Sequence, residues 1–466
     1  MVKNRSKYDY VVVGSGPCGM ISADLLSQKG KTIIIEEGPK INDREEDIYT
    51  FEQISSGYIG GGINIAFGSP PVLLSEGRCI GGGSALNSSL HHKAPNHIWK
   101  KWRELYNLQG FEEELVKNAY QEIENIFSTK EGNVNPSIFY KKAEFIGEKV
   151  TRIPRWGNED NNGRLERSTA RKIFYDKLIN KGTKIMNSTK FLSAELDKNK
   201  NWNIYLMDLK FKRKLKIYSS NLILALGAGK TPVALRNIGL KHKQLGKFEI
   251  HPSARVSCYF PNHEKSKSVV EPFQITGHFP YLMIGSSATR KELSESFYPY
   301  KKNLHNINFS NVHNFYAMAP SNRKGKIILR GIFKGLKFYF LDDQTKFFLR
   351  KGLNLILKIA KEANCPLIYH SGMLIELENN DNKKLIYEFI ETAINKTLSS
   401  VHVMSSASIG ENKTLCPLNS KGKIKGINNL LVVDQSVLPT CPTVNPQATS
   451  CVISLINTNR FLNEKR

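Results

Sequence analysis

The sequence predicts an α/β fold, a parallel sheet flanked by helices, joined to an α+β unit built on an antiparallel sheet. Three observations carry this. The first is "YDYVVVGSGPCGMISADLLSQKGKTIIIEEG" near the N-terminus, which reads strand, glycine turn, helix, strand. The second is a further glycine cluster, "SEGRCIGGGSALNSSLHHKAP" (Ser75–Pro95). The third is the stretch from about 257 to 390, where β-like pieces such as "NVHNFYAMAP" and "GKIILRGIF" precede one long helical pattern, "DQTKFFLRKGLNLILKIAKEANC". A chain of 466 residues, 40% hydrophobic, buries a large core and accommodates two or three structural units of roughly 100–200 residues each.

Tyr8–Val13 is short, apolar and β-branched, the pattern of a buried strand. Gly14, Gly16 and Gly19 then form GxGxxG. Gly14 allows the tight strand-to-helix turn, Gly16 lets backbone approach a pyrophosphate, and Gly19 lets helix and strand pack closely. Met20–Gln28 reads as a helix whose N-terminus offers free N–H groups and a partial positive charge to phosphates. Thr32–Ile35 is the second strand, ending in Glu36 and Glu37, and Glu36 lies 22 positions past Gly14, where a carboxylate accepts both ribose hydroxyls. Glycines and acid in this strand–helix context make a Rossmann-like dinucleotide unit. The acid fits NAD or FAD and disfavours NADP.

The second cluster places Gly77, then Gly81, Gly82 and Gly83, before Ser84 and Asn87. Consecutive glycines inside a long chain suggest backbone pressed against a ligand, with a helix starting at Ser84. An NAD dehydrogenase has no use for this second loop. In the long helical pattern, Phe347, Phe348, Leu355, Ile356 and Ile359 fall near helical spacing, with Lys and Arg mostly opposite. This reads as a helix covering a sheet in preference to a membrane-surface helix.

Composition narrows the function classes. The formal net charge is +25, from 67 Lys+Arg against 42 Asp+Glu, which invites nucleic acid or a membrane surface as partner. The charges are spread, however. "FKRKLK" (Phe211–Lys216) and "SNRKGK" (Ser321–Lys326) are short, and a general Lys, Asn and Ile bias accounts for the balance, so no nucleic-acid role is expected. The seven cysteines are scattered and odd in number with no CxxC, which argues for reduced thiols and against a zinc site. No apolar run of about 18 residues suggests a membrane span. The N-terminus passes from a few polar residues into a strand without the apolar segment of a signal peptide. The expected location is the cytoplasm.

"GRCIGGGSALN" resembles the first signature of the glucose–methanol–choline (GMC) flavin oxidoreductases, G-R/K-x-x-G-G-S/G-S-x-x-N. Further segments match in family order. "GRLERSTARKIFYDKLINKGTKIMNSTKFLSAEL" resembles the helix and strand whose backbone touches adenine, around Phe191. "NLILALGAGKTPVALRNIGL" resembles the strand and Gly-Ala turn, and "LGKFEIHPSARV" the link into the substrate domain. "NNLLVVDQSVLPTCPTVNPQATSCVISLI" matches the C-terminal signature.

The resemblance implies an α/β FAD-binding Rossmann-like domain of the GMC/p-hydroxybenzoate-hydroxylase type, with an α+β substrate domain built on an antiparallel sheet. The first would be formed by residues 1–256, with flavin-covering loops at about 45–100, and again by 391–466. Residues 257–390 would form the substrate domain. It implies FAD as cofactor, held by Gly14, Gly16, Gly19, Glu36, Arg78, Gly82, Gly83, Ser84, Asn87, Phe191, Asp434, Asn445 and Pro446. No metal is implied.

Family members oxidise an alcohol to a carbonyl while the carbinol hydride passes to the flavin. By resemblance, His402 in "HVMSSASIG" occupies the place of the base in "HPxGTxxMG", about 40 residues before "VNPQAT", where Asn445 takes the second polar position. Asn445 would steady the developing alkoxide. His251, His91, His92 and His370 read as structural. The segment after His402 departs from the family: it lacks the Pro and the Gly-Thr, and keeps Gly410. The substrate is expected to be a small-molecule alcohol, and the electron acceptor, O2, a quinone or a redox protein, stays open. The alternatives are a non-catalytic FAD-binding paralogue acting as an assembly partner, a lyase or light-driven decarboxylase on the same fold, and an NAD-dependent dehydrogenase.

Overall fold

The structure is a computed structural model that describes residues 7–160, 164–263, 270–288, 311–321, 323–370, 373–377, 382–396 and 398–464. The polar residues before Lys7, expected to lead into the first strand, lie outside the described residues.

Its first sheet is built around β1 (Lys7–Val13), whose last four residues are all buried, the pattern of a strand covered on both faces. β1 runs parallel to β2 (Thr32–Ile35) on one side and to strand Arg213–Leu224 on the other. The sheet continues past β2 to Lys184–Met186, and past Arg213–Leu224 to the antiparallel strands Trp202–Asp208 and Thr189–Leu196. The C-terminal part of the chain returns here. Strand Leu430–Val432 pairs in parallel with Leu222–Leu224, at the end of the long strand that Trp202–Asp208 leaves free. That single return carries Asp434 and the segment leading to Asn445 to the carboxyl end of β1, where α/β sheets bind ligands.

Helix α1 (Pro17–Ser27) opens directly after the glycine turn, three residues earlier than the expected Met20, because Pro17 takes the first helical position, where its missing N–H costs nothing. It packs on the last helix, Gln447–Asn463, through small polar residues: Ser22 Oγ lies 2.8 Å from Thr458 Oγ1, and Ser454 Oγ donates to Cys18 O at 2.9 Å. Small residues let the two helices approach closely while each hydroxyl keeps a partner.

The second sheet has fourteen strands among the described residues and is mostly antiparallel. Strand Ser253–Tyr259 lies inside it, pairing with Val312–Met318 and with Leu367–His370. Strands alternate faces. Ala254, Val256 and Cys258 are therefore buried in an apolar core with Leu349, Leu353 and Ile356 of helix Asp343–Glu362, while Ser253, Arg255 and Ser257 point to the opposite face. Gly352 fits this contact: a Cβ there would meet Ala317 Cβ at 2.6 Å. The helix covers the sheet, as expected, but its apolar stripe runs through Leu349, Leu353, Ile356 and Ala360, and Phe347 is 59% exposed. A stripe of period 3.6 that includes Leu349 and Leu353 leaves Phe347 off the packed face.

The sheet draws strands from well outside 257–390. Ile65–Phe67, Val72–Leu74, Val150–Arg152, Lys247–Ile250, Leu398–Ser400 and Val403–Met404 all join it. The segment 45–100, read as loops, thus contributes strands as well as the helix Phe51–Gly57. Among the described residues no helix is long and apolar enough to cross a membrane. All seven cysteines are buried free thiols.

Candidate active site

Two adjoining cavities lie between the sheets. The first is lined by Gly14, Gly16, Gly19, Glu36, Arg78, Gly82, Gly83, Phe191 and Asp434, the second by Asn87, His402, Asn445 and Pro446. Ser75, Gly77, Gly83, Val401, Gln435 and Gln447 line both, so the cavities share a wall.

The first cavity is shaped by backbone. Gly14 has φ 105°, and a Cβ there would lie 2.0 Å from Ala225 O, so only glycine makes this turn. A Cβ on Gly16 would meet no protein atom within 4 Å, so what its bareness serves is the cavity itself. Gly82 closes on Gly16: its Cβ would lie 2.7 Å from Gly16 Cα. The second glycine cluster is thereby pressed against the first. It forms a single 3-10 turn, Gly82–Ala85, after Gly81 at φ 94°, and not the helix expected to start at Ser84. Ser84 lines neither cavity. Its Oγ donates to Gly81 O at 2.7 Å and accepts from Ala170 N–H at 3.0 Å, so the hydroxyl is spent on fixing the loop.

Glu36 is buried at the end of β2. Its Oε2 accepts from the N–H and hydroxyl of Ser15 at 3.0 and 2.7 Å, and its Oε1 from Gly38 N–H at 2.8 Å. Burial raises its carboxyl above the ordinary value, and these donors offset part of that. Asp434 is similarly buried and raised, accepting from Gly227 N–H at 3.0 Å, Ser436 N–H at 2.8 Å and the Thr231 hydroxyl. It ties the C-terminal return to the turn after strand Arg213–Leu224. Phe191 sits beside the bulge in strand Thr189–Leu196.

These residues fit a dinucleotide such as FAD on their own account. The α1 N-terminus, the Gly16–Gly82 cradle and the cation of Arg78 converge on one cavity. The Arg78 Nε is buried without a protein partner, the signature of a group awaiting an acceptor. Lys230 and Glu37, paired at 2.8 Å, also line it and were not singled out from sequence.

In the second cavity His402 and Asn445 are brought together. The His402 Nδ1 lies 2.9 Å from Nδ1 of His251, and the rings stand edge to face, 5.0 Å between centroids. His251 Nε2 in turn contacts Cys441 Sγ, which also accepts from Thr443 N–H at 3.2 Å. Two Nδ1 atoms in contact can share only one proton. Burial, then the neighbouring His251 and His92, hold the His402 imidazole well below its ordinary value, and burial lowers His251 to about 3. Both rings are therefore neutral near pH 7. Two proton arrangements satisfy these contacts: His402 Nδ1–H donates to His251 while His251 Nε2–H meets the Cys441 sulfur, or His251 Nδ1–H donates to His402 while the Cys441 thiol, which burial keeps protonated, donates to His251 Nε2. In the first arrangement His402 Nε2 is a bare lone pair. His251 is thus a partner of His402, a role its place in "IHPSARV" did not disclose.

The departure after His402 has a structural consequence. Ser405, at the place of the Gly in the family motif, has a left-handed backbone at φ 63°, and its Oγ is buried without a partner. Ser406, at the place of Thr, donates to Ala228 O at 2.7 Å. The loop thus holds one strained residue, Ser405.

Asn87 donates to Gln447 Oε1 at 2.6 Å, which locks the glycine cluster to the last helix. His91 is structural: Nε2 lies 3.0 Å from Glu124 and Nδ1 accepts from Trp156 at 3.0 Å. His92 lies 2.8 Å from Gln274 and lines neither cavity.

Known proteins resemble this chain in family and in fold. Family models for GMC oxidoreductases match residues 8–253 and 338–454. A GMC-type oxidoreductase of Sinorhizobium fredii, y4nJ, itself uncharacterized, is 26% identical over 95% of this chain and 92% of its own length. The long-chain-alcohol oxidase FAO4A of Arabidopsis thaliana is 25% identical over 95% of this chain and 66% of its own. Among solved structures, the formate oxidase of Aspergillus oryzae superposes with a TM-score of 0.74 at 13% identity, covering 98% of each chain. With both family models matched in order and the dinucleotide cavity built as described, this chain belongs to the GMC oxidoreductases and takes FAD as its cofactor.

Proposed function

We propose that this oxidoreductase oxidises a CH–OH group to a carbonyl, with His402 as the base and Asn445 as the partner of the substrate oxygen. The observation that carries the reading is the placement of His402 in a cavity sharing a wall with the dinucleotide cavity, with Nδ1 2.9 Å from His251 Nδ1; with its proton on Nδ1, the ring has Nε2 free to accept one. FAD, when bound, supplies the acceptor for the hydride. The chain's residues do the rest. His402 takes the hydroxyl proton at Nε2, and its depressed basicity keeps it unprotonated and ready at neutral pH. The Asn445 side chain, which lines the same cavity, donates to the substrate oxygen as negative charge develops there. His251 holds the tautomer. The long-chain-alcohol oxidases of Arabidopsis among the relatives support an alcohol as donor. A panel of alcohols added anaerobically to the purified flavoprotein tests this: bleaching of the flavin by a member of the panel is expected, and its absence across all members contradicts the reading.

A further inference from the structure

The cavity that holds His402 and Asn445 carries one permanent cation, Arg255, and no carboxylate among its described lining residues. We propose that the substrate is an alcohol with an anionic end, a hydroxy-carboxylate whose carboxylate is held by Arg255. This deepens the oxidation reading above and rests on it.

The sequence puts Arg255 there by strand alternation. Ser253, Arg255 and Ser257 occupy one face of strand Ser253–Tyr259, and the other face is sealed against the helix layer. Arg255 stands opposite Tyr316 in the paired strand, and Tyr316 lines the same cavity. Ser253 pairs with Ser399, three residues before His402. Arg255 is one pleat repeat further along, about 7 Å. The anion is thus set apart from the reacting hydroxyl, which favours a hydroxyl several bonds from the carboxylate over an α-hydroxy acid.

The contrast with the other buried arginines makes the case. Arg155 pairs with Glu159, Arg171 with Asp43, and Arg167 donates to the carbonyls of Asp43, Ser84 and Ala85. Among the described residues no carboxylate pairs with Arg255, which is what sets it apart; its buried Nε lacks a hydrogen-bond partner, as does that of the paired Arg171. A half-buried cation without a counter-ion is costly to keep. A guanidinium fork is matched to a planar carboxylate.

Three phenols surround it. The guanidinium lies 5.6 Å from the centroid of the Tyr49 ring, and Tyr58 and Tyr316 share the cavity. Burial pushes Tyr58 well up and Tyr316 to about 12, so both stay protonated beside the cation and offer O–H donors. Tyr316 accepts from Gln274 at 2.9 Å, which leaves its own proton to give. A cation ringed by donors and free of acids selects an anion and penalises a neutral alkyl end.

The test uses the FAD-loaded protein and three ligands of one chain length: hexanol, ω-hydroxyhexanoate and its methyl ester. Anaerobic flavin reduction is expected to be about a hundredfold more efficient with the acid than with the ester. In Arg255→Leu that ratio should fall towards one, and Arg255→Lys should restore part of it. Equal efficiency of acid and ester in the parent, or a preference retained in Arg255→Leu, overturns the proposal. If none of the three reduces the flavin and no member of the alcohol panel does, the oxidation reading is what fails. Hexanoate titrated into the oxidised protein, followed by flavin absorbance, then decides the anion site separately. Saturable binding lost in Arg255→Leu supports it, and no saturable binding in the parent overturns it.

Discussion

The dinucleotide cavity takes Gly14, Gly16, Gly19 and Glu36 from one short run of sequence, with Arg78, Phe191 and Asp434 closing it from further along, whereas the second cavity takes Tyr49, Arg255, Tyr316, His402 and Asn445 from segments spread over most of the chain. The first works mainly through backbone: close approaches that exclude a Cβ, and N–H groups that hold Glu36 and Asp434. The second works through side chains whose protonation is set by burial. The difference teaches where each cavity is fragile. The first should break at single atoms of steric bulk, the second through proton positions and charge.

The largest effect is expected in the first cavity. Gly14→Val drives side-chain atoms into Ala225 O, already 2.0 Å from a bare Cβ, and should yield little folded flavoprotein. Gly16→Ala meets no protein atom within 4 Å, so the polypeptide should fold with its thermal midpoint near that of the flavin-free parent, yet lose flavin on purification. Flavin absorbance and thermal scans of both variants check the pair, and a flavin-replete Gly14→Val would break the comparison.

The buried histidines behind the second cavity should show themselves in acid. His251 titrates near 3 and His92 near 4 in the folded protein, against about 6.5 when unfolded. Their contribution is full above pH 6.5 and is lost as pH falls towards those values, because the unfolded chain takes protons that the folded one refuses. Each buried imidazole then removes about 1.4 kcal/mol of stability per pH unit. Thermal midpoints measured from pH 7 to 4 should fall steadily, and less steeply in a variant lacking His251.

A smaller effect separates positioning from structure. His251→Phe should keep its flavin but slow flavin reduction roughly ten- to a hundredfold, as His402 loses the acceptor that orients it. Because His251 also lowers the basicity of His402, its removal should move the acid limb of the pH–rate profile to higher pH. A purely structural His251 would slow the enzyme without moving that limb. The smallest effect is at Ser405. Ser405→Gly relieves a left-handed serine with a stranded hydroxyl and should stabilise the protein by about 1 kcal/mol, read as a raised thermal midpoint.

Much of the first cavity was legible in the sequence because its geometry is local. Glycines at fixed spacing between a strand and a helix can be read without knowing what packs on them. Even there, the apparent helix at Ser84 was a 3-10 turn, since Gly81 and Gly82 adopt positive φ and end any regular start. The second cavity was legible at Asn87, His402, Asn445 and Pro446, through motif resemblance, and not at Tyr49, Arg255 or Tyr316. The partnership of His251 depends on strand Lys247–Ile250 pairing with Val403–Met404, a register between distant segments that no periodicity announces. Arg255 left one faint signal, the polar alternation Ser253, Arg255, Ser257, but nothing in the sequence said which face would meet the cavity. Phe347 misled for a related reason: a helical stripe can be counted in more than one frame until the packed face is known.

The central claim is that His402 accepts the substrate proton. Its most direct test is the rate of anaerobic flavin reduction in His402→Gln, using the alcohol that bleaches the parent fastest. The account predicts an unchanged oxidised flavin spectrum and a reduction rate lower by about 10²–10⁴-fold. A His402→Gln protein that binds flavin and is reduced as fast as the parent would contradict it.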